Sequence, residues 1–261
     1  AQSTQKDTKD TLEKKKEEVS KNINGIYERV NKSVLDRLAR LEKDIIRKFD
    51  AVQAKAMQDF EKNVNKKIDA YKKERYGDSW LSWKRLKDWW TGIDNHPKVK
   101  KIFEEETKVF INTIDRAIND LMAESKRVID GCKQEVAKAK EEIAEYVKSL
   151  PLALQATGKE AQEKINKQLE ELDKKIDKVA KELEATLQEK RKKAIEALNE
   201  KIEKMKENLG SALSKAGKFL LDAAFKFFKA VLEGMGYSMD DIMPYINKGK
   251  KILTSIVTEP G

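Results

Sequence analysis

Few residues in this chain are of the types that carry catalysis or bind a transition metal. The 261-residue sequence contains one histidine, His96, and one cysteine, Cys132. A single cysteine excludes an intramolecular disulfide, and a single histidine excludes the usual histidine-rich metal site. His96 precedes a proline and is typical of a surface or capping residue. Cys132 follows Gly131 on an apolar stripe, where we expect a small core residue.

Motifs of known reactions are also missing. The sequence has no GxxxxGK[ST], GxGxxG, HExxH, CxxC or GxSxG pattern. The consecutive acids Glu104, Glu105 and Glu106 are expected on a solvated face, or as compensation for the helix dipole after Pro97. We therefore predict that the protein is not an enzyme, with no catalytic, cofactor-binding or metal-binding residue and no cofactor.

The composition indicates a thin hydrophobic core. Charged residues make up 39% of the chain, against about 25% in an ordinary globular domain. Hydrophobic residues also make up 39%, which favours an elongated molecule with much surface over a spherical one. The net charge of +9 is a mild basic bias, and with no recognised nucleic-acid fold signature it argues against nucleic acid as a partner.

Apolar residues recur at helical spacing through most of the chain. Between Val19 and Tyr71 they follow one another in steps of three and four residues, which marks a single stripe on an α-helix. The mean step is nearer to about 3.67 than to about 3.5 residues, so the pattern predicts nearly straight or slightly right-handed packing. We predict one helix from Thr8 to Tyr76, on the order of 100 Å long.

Two further segments repeat this pattern. The second begins after Asn95-His96-Pro97, where Asn95 or Asp94 can cap and Pro97 suits the first turn, and it ends or kinks at Ser149-Leu150-Pro151. The third follows Thr157-Gly158 and is predicted to stop near Gly210, a residue suited to the position after a helix. The sequence thus predicts an all-α fold, an elongated antiparallel up-down-up bundle of about three long helices. Its expected parts are a long helix at 1–76, a Trp-rich connector at 77–97, two bundle helices at 98–210 and amphipathic helices at 211–261.

Large aromatic side chains concentrate in two places outside the three long apolar stripes described above. All four tryptophans lie in the connector, and several phenylalanines lie on adjacent apolar stripes between Phe219 and Leu232. Both regions could simply close the ends of the bundle, and both could instead contact a partner or a lipid interface. The candidate contact residues are Trp80, Trp83, Trp89, Trp90, Phe219, Phe225, Phe227 and Phe228.

From Lys98 onward the chain resembles the long helical segments of cargo or toxin-like proteins encoded with extracellular contractile injection systems, which are phage-tail-like particles. The resemblance spans 98–255 and rests on EIAEYVKSLP, then LQATGKEA, then a Leu and Ile repeat with LDKKIDK; Gly249 in YINKGKKIL falls where such proteins have a short Gly-containing helix. Those proteins often carry an N-terminal metalloprotease-like domain with a His-Glu motif, which the single histidine excludes here. The resemblance implies the helical middle of a larger bacterial protein that acts in loading, spacing or translocation.

Three functions remain open from the sequence. The first is this structural or delivery module, made in the bacterial cytoplasm and exported or delivered inside a particle. Its partners would be the injection-system tube or neighbouring domains of a larger chain, and a monomer is favoured over a homo-oligomer. The second is a membrane-active protein, pore-forming or lipid-binding, whose partner is an anionic membrane. The third is a self-assembling coiled-coil scaffold. The polar N-terminus lacks the apolar core of a signal peptide, and no stretch reaches the ~20 apolar residues of a membrane span.

Overall fold

The computed structural model describes three α-helices and no strand within residues 2–77 and 96–234; side chains are described for residues 10–75, 77 and 96–209. The helices are α1 (Gln2–Tyr76), α2 (Pro97–Ser149) and α3 (Leu152–Gly234). The prediction of an all-α bundle with three long helices is confirmed. In this part of the chain, no helix combines the length and the apolar character needed to cross a bilayer.

The ends of α1 and α2 follow from local chemistry. At the end of α1, Gly77 adopts a positive φ of 58° and its N–H donates to the Lys73 carbonyl at 2.9 Å, which is a left-handed glycine cap. At the end of α2, Ser149 is the last helical residue before Leu150-Pro151, as the proline predicts. The Pro151 carbonyl then accepts the Leu154 N–H at 2.8 Å, so α3 begins after a two-residue turn.

The third helix is longer at both ends than the sequence predicted. It begins at Leu152, ahead of Thr157-Gly158, and it does not stop at Gly210 but continues to Gly234. A glycine inside a helix costs only about 1 kcal/mol, which the strong helix formers on either side of Gly210 offset. Residues 211–234 therefore belong to α3, and 235–261 lie outside the described residues.

The chain divides into two compact units that share these helices. The first unit comprises Ala1–Ala56 and Asn112–Ala194, and the second comprises Met57–Ile111 and Ile195–Gly261. Each unit contains a piece of every helix, so three helices pack together in both.

In the first unit, polar pairs on the surface reveal the helix directions. Partner numbers on α1 and α2 run in opposite senses, so these two helices are antiparallel, and the same holds for α2 and α3. Along α1 and α3 the numbers rise together, so this pair is parallel. The α1–α2 pairs are Asn22–Tyr146 at 3.0 Å, Arg29–Glu142 at 2.6 Å and Lys48–Glu124 at 2.6 Å; the α2–α3 pairs are Lys133–Asp177 at 2.5 Å and Asp115–Arg191 at 2.6 Å; α1 meets α3 through Asp50–Lys190 at 2.6 Å and through clefts lined by Ser20 with Thr157 and by Ile45 with Leu187.

In the second unit, α1 and α2 are again antiparallel. Lys67 pairs with Glu105 at 3.4 Å, and Glu74 pairs with Lys98 at 2.8 Å, again with opposed numbering. Its α1–α3 contact is the Glu61–Lys201 pair at 2.7 Å. Phe60 of α1 packs between two rings of α2, with centroids 6.5 Å from both Phe103 and Phe110.

Buried side chains recur at intervals of eleven residues in all three helices. Eleven residues are close to three full helical turns, so such positions lie on one line along a nearly straight helix. The rows are Val19, Val30 and Leu41, with Leu38, Phe49, Phe60 and Tyr71, on α1; Val99, Phe110, Leu121, Cys132 and Ile143 on α2; and Ile165, Ile176, Leu187 and Leu198, with Leu172, Leu183, Ala194 and Met205, on α3. Among the residues of the predicted α1 stripe, only Ile26 and Val52 are half-buried, and the others are buried.

Candidate functional site

The residues predicted to contact a partner or a membrane are not among those with described side chains. Trp80, Trp83, Trp89 and Trp90 lie outside the described residues. Phe219, Phe225, Phe227 and Phe228 lie on the described backbone of α3, and their side chains are outside the described set. The candidate sites that can be built from side chains are therefore polar clusters in and beside the helical core.

His96 caps the first turn of α2. Its carbonyl accepts the N–H of Val99 at 2.9 Å and that of Lys100 at 3.0 Å, and its Nδ1 accepts the Lys98 N–H at 3.3 Å. A side chain that accepts from the first turn is the defining feature of an N-cap. The prediction that His96 is a surface or capping residue is confirmed, whereas Asp94 and Asn95, which the sequence predicted as caps, lie outside the described residues.

The same imidazole joins the start of α2 to the end of α1. Nδ1 lies 2.9 Å from the Tyr71 hydroxyl, and since Nδ1 accepts from Lys98 N–H, the hydroxyl is the donor. Lys98 Nζ lies 5.1 Å from the centroid of the Tyr71 ring and also pairs with Glu74, while Arg75 Cζ lies 6.0 Å from that centroid. These contacts hold the two helix ends together on either side of residues 78–95.

Cys132 is a core residue, as predicted, with no exposed surface. Burial raises the pKa of its thiol, which disfavours the reactive thiolate. Next to it, Gly131 leaves room for a guanidinium: a β-carbon added there would lie 2.7 Å from an Arg37 nitrogen. Arg37 crosses this space to pair with Glu135 at 3.0 Å, so Gly131 serves a polar contact between α1 and α2.

Glu106 is the most deeply buried charged side chain among those described. It is 5% exposed, and its carboxylate is 2.8 Å from Lys67 Nζ and accepts from Asn63 Nδ2 at 3.3 Å. The hydrogen bond to Glu106 raises the pKa of Lys67, and the ion pair with Glu105 acts in the same direction. The expectation that all three acids at 104–106 form a solvated face is thus wrong for Glu106. The reason is helical geometry, since 106 lies one turn from both Phe103 and Phe110 on the inward face.

A second cluster joins α2 to α3 in the first unit. The Arg191 guanidinium donates to both carboxylate oxygens of Asp115, at 2.6 and 3.2 Å. This bidentate bond holds the pKa of Asp115 below its ordinary value and raises that of Arg191. The neighbouring Lys190 pairs with Asp50 and lies 5.8 Å from the centroid of the Phe49 ring, so adjacent residues of α3 contact α2 and α1.

The sequence contained a signal for these clusters. The apolar stripes advance by three or four residues, except where they advance by seven, from Phe103 to Phe110, from Leu121 to Val128 and from Leu187 to Ala194. Glu106, the buried Ser125 and the pair Lys190 and Arg191 occupy the omitted turns. Ser125 satisfies its hydroxyl within its own helix, by donating to the Leu121 carbonyl at 2.7 Å, while the charged residues reach across to another helix.

Concave and metal-binding features are modest in the part of the chain that has described side chains. An open groove of about 560 Å³ lies between α2 and α3 in the second unit, and its lining includes the apolar Phe103 and Ile202 and the basic Lys100, Lys108 and Lys206. No group of three His, Cys, Asp or Glu residues in this part is placed to hold a metal ion.

Searches against protein-family models, curated proteins and solved structures found no match to this chain.

Proposed function

We propose that the chain is a non-enzymatic helical module of a larger bacterial toxin or effector, which is loaded into a contractile injection system. One observation carries the proposal: buried rows of eleven-residue period run along all three helices, and charged side chains beside these rows form ion pairs between the helices. The inward faces pack against one another and the outward faces are charged. Side chains that serve packing and surface charge in this way suit a segment that spaces or carries attached domains.

The contractile injection system is proposed as the carrier because residues 98–255 resemble helical segments of injection-system cargo. The segment EIAEYVKSLP, which contributes to that resemblance, forms the end of α2 and the turn into α3. The proposed partner is the lumen of the tube, and the 39% of charged residues gives the module a highly charged, water-compatible surface for entering it.

The proposal is tested by loading a reporter. The chain is fused ahead of a reporter enzyme and expressed with an injection-particle operon, and purified particles are treated with protease. We expect the reporter to sediment with the particles and to survive digestion until the particles are opened.

A matched pair of variants distinguishes loading inside the particle from adherence of the reporter to its outside. Ile176→Asp places a charge at a position with no exposed surface and should abolish protected loading, whereas Lys174→Asp changes an exposed charge, 72% accessible, and should preserve it. A reporter that is digested as fast with intact particles as without them would refute the proposal.

The unbroken course of α3 favours a second candidate, a membrane-active protein. Because α3 continues to Gly234, Phe219, Phe225, Phe227 and Phe228 all belong to a helix in which the sequence pattern groups apolar residues on adjacent stripes. An amphipathic helix of this kind, with lysines between the apolar residues, binds anionic lipid surfaces. Flotation with vesicles of anionic phospholipid and a dye-leakage assay test this candidate, and absence of binding at low salt would eliminate it.

A further inference from the structure

The eleven-residue repeat of the core leaves the alignment of the helices underdetermined. On α2, Val99, Phe110, Leu121, Cys132 and Ile143 are all buried and all equivalent in the repeat. Sliding α2 along α1 by eleven residues would therefore place apolar residues where apolar residues lay before. The hydrophobic effect alone distinguishes weakly between the two alignments, because its free energy is proportional to the apolar area buried and does not depend on direction.

Glu106 breaks this equivalence. The residues that follow it at intervals of eleven are Ala117, Val128 and Ala139 on α2 and Leu150 just after its end, so a carboxylate stands in a row whose later members are apolar. Its two partners, both of them exposed, also depart from the apolar repeat on α1. Asn63 lies eleven residues after Val52, and Lys67 lies eleven residues after the buried Ala56.

We propose that Glu106, Lys67 and Asn63 form a register lock, a polar cluster that selects one alignment of α1 against α2. In the observed alignment the buried carboxylate has an ammonium at 2.8 Å and an amide at 3.3 Å. A slip of eleven residues in one direction sets Glu106 against Val52 and Ala56, and a slip in the other carries it towards Glu74. The first leaves a carboxylate without a partner in an apolar surrounding, and the second brings two carboxylates together; both are unfavourable.

The cluster selects one alignment of the helices, but it occupies a position where an apolar side chain could be buried instead. A polar residue at a core position is known to specify register while lowering stability, since an apolar residue would pack there without a desolvation cost. Replacing Glu106 with leucine should consequently leave the thermal midpoint unchanged or higher and yet admit a second alignment. A residue that served only stability would show the opposite behaviour.

Distance measurement by pulsed electron paramagnetic resonance tests the register lock on the full chain. Spin labels are attached at Lys73→Cys and Lys108→Cys, two exposed positions on α1 and α2, in a Cys132→Ala background. The parent should give one narrow distance. Glu106→Leu should add a second population, displaced along the helix axis by eleven residues, about 16 Å.

Three controls make the result specific to the cluster. Ile102→Leu changes a side chain that is 7% exposed in the same unit and should keep the single distance. Because Glu105 also pairs with Lys67, the exchange is made in a Glu105→Gln background. There Lys67→Glu alone should broaden the distribution, and the exchanged pair Lys67→Glu with Glu106→Lys should restore one distance. A Glu106→Leu protein with the same single narrow distance as the parent, or an exchanged pair as broad as Lys67→Glu alone, would overturn the proposal.

Discussion

Charged residues in and beside the core of α2 and α3 form pairs with partners on another helix. Arg191 and Asp115 form a bidentate pair between α2 and α3, and Glu106 holds Lys67 and Asn63 of α1. Such pairs contribute little net stability when they are partly exposed, as Asp115 is at 41%. Their larger effect is on specificity, because a mismatched alignment leaves each charge without its partner.

The Asp115–Arg191 pair makes stability depend on pH. Because the folded-state pKa of Asp115 is lowered, its contribution is fully present above the unfolded value of 3.8 and is lost as the pH falls through the lower folded value. Asp115→Asn should therefore lose about 0.5 kcal/mol at neutral pH and nothing at strongly acidic pH. Urea unfolding at both pH values measures this difference.

Asp120→Asn is the matched control, since Asp120 is an exposed acid on the same helix. Its effect on unfolding should be small at either pH. If Asp115→Asn is equally harmless at neutral pH, the Arg191 contact makes no contribution to stability.

Gly158 permits a close approach between the start of α3 and the end of α2. A β-carbon there would lie 2.5 Å from Leu150 Cδ1 and 3.3 Å from Val147 Cγ1. We predict that Gly158→Ala destabilises the protein by about 1 kcal/mol, because overpacking outweighs the gain in helix propensity. The change in thermal midpoint is the measurement.

Gly25→Ala provides the opposite case. Gly25 lies inside α1 and no neighbouring atom lies within 4 Å of an added β-carbon. Alanine should here stabilise by up to about 1 kcal/mol. Equal stabilisation by both substitutions would show that the two helices do not meet closely at Gly158.

At the scale of the element, glycines explain why one predicted helix end is observed and another is not. Gly77 has a φ of 58° and ends α1, while Gly210 lies within α3. The sequence presents both as suitable stop signals. The difference is in their neighbours, because the strong helix formers Ala212 and Leu213 follow soon after Gly210, but Gly77 is followed directly by Asp78-Ser79.

Alanine substitution at these two glycines should change stability in opposite directions. Gly77→Ala forces a side chain into the left-handed region and should cost about 1 kcal/mol, whereas Gly210→Ala should stabilise α3 by up to about 1 kcal/mol. Helix content by circular dichroism during thermal unfolding reports both. A loss of stability with Gly210→Ala would place a helix end at that residue.

The helices themselves were predictable from the spacing of apolar residues, and the pairing between helices was not. Val19 to Tyr71 defines α1 because a stripe with steps of three and four has only one regular explanation. Glu106 was predicted on a solvated face because three consecutive acids look alike in composition, although the seven-residue step from Phe103 to Phe110 leaves a turn that Glu106 alone of the three can fill. The alignment of the helices also cannot be read from the apolar pattern alone, since an eleven-residue repeat of apolar residues distinguishes weakly between registers.

At the scale of the whole molecule, the same three helices build two compact units. Each unit combines a buried apolar row with charged pairs at its margin, and this organisation uses side chains for packing and surface charge. The proposed role in a delivered protein follows from that use of side chains together with the resemblance of 98–255 to injection-system cargo.

The most direct test of this role is delivery of a reporter into target cells by purified particles that carry the chain–reporter fusion. The account predicts reporter activity in the cytosol of the target cells, and no activity when the fusion carries Ile176→Asp or when the particles are omitted. Equal activity with and without particles, or none with particles that deliver another cargo, would contradict it.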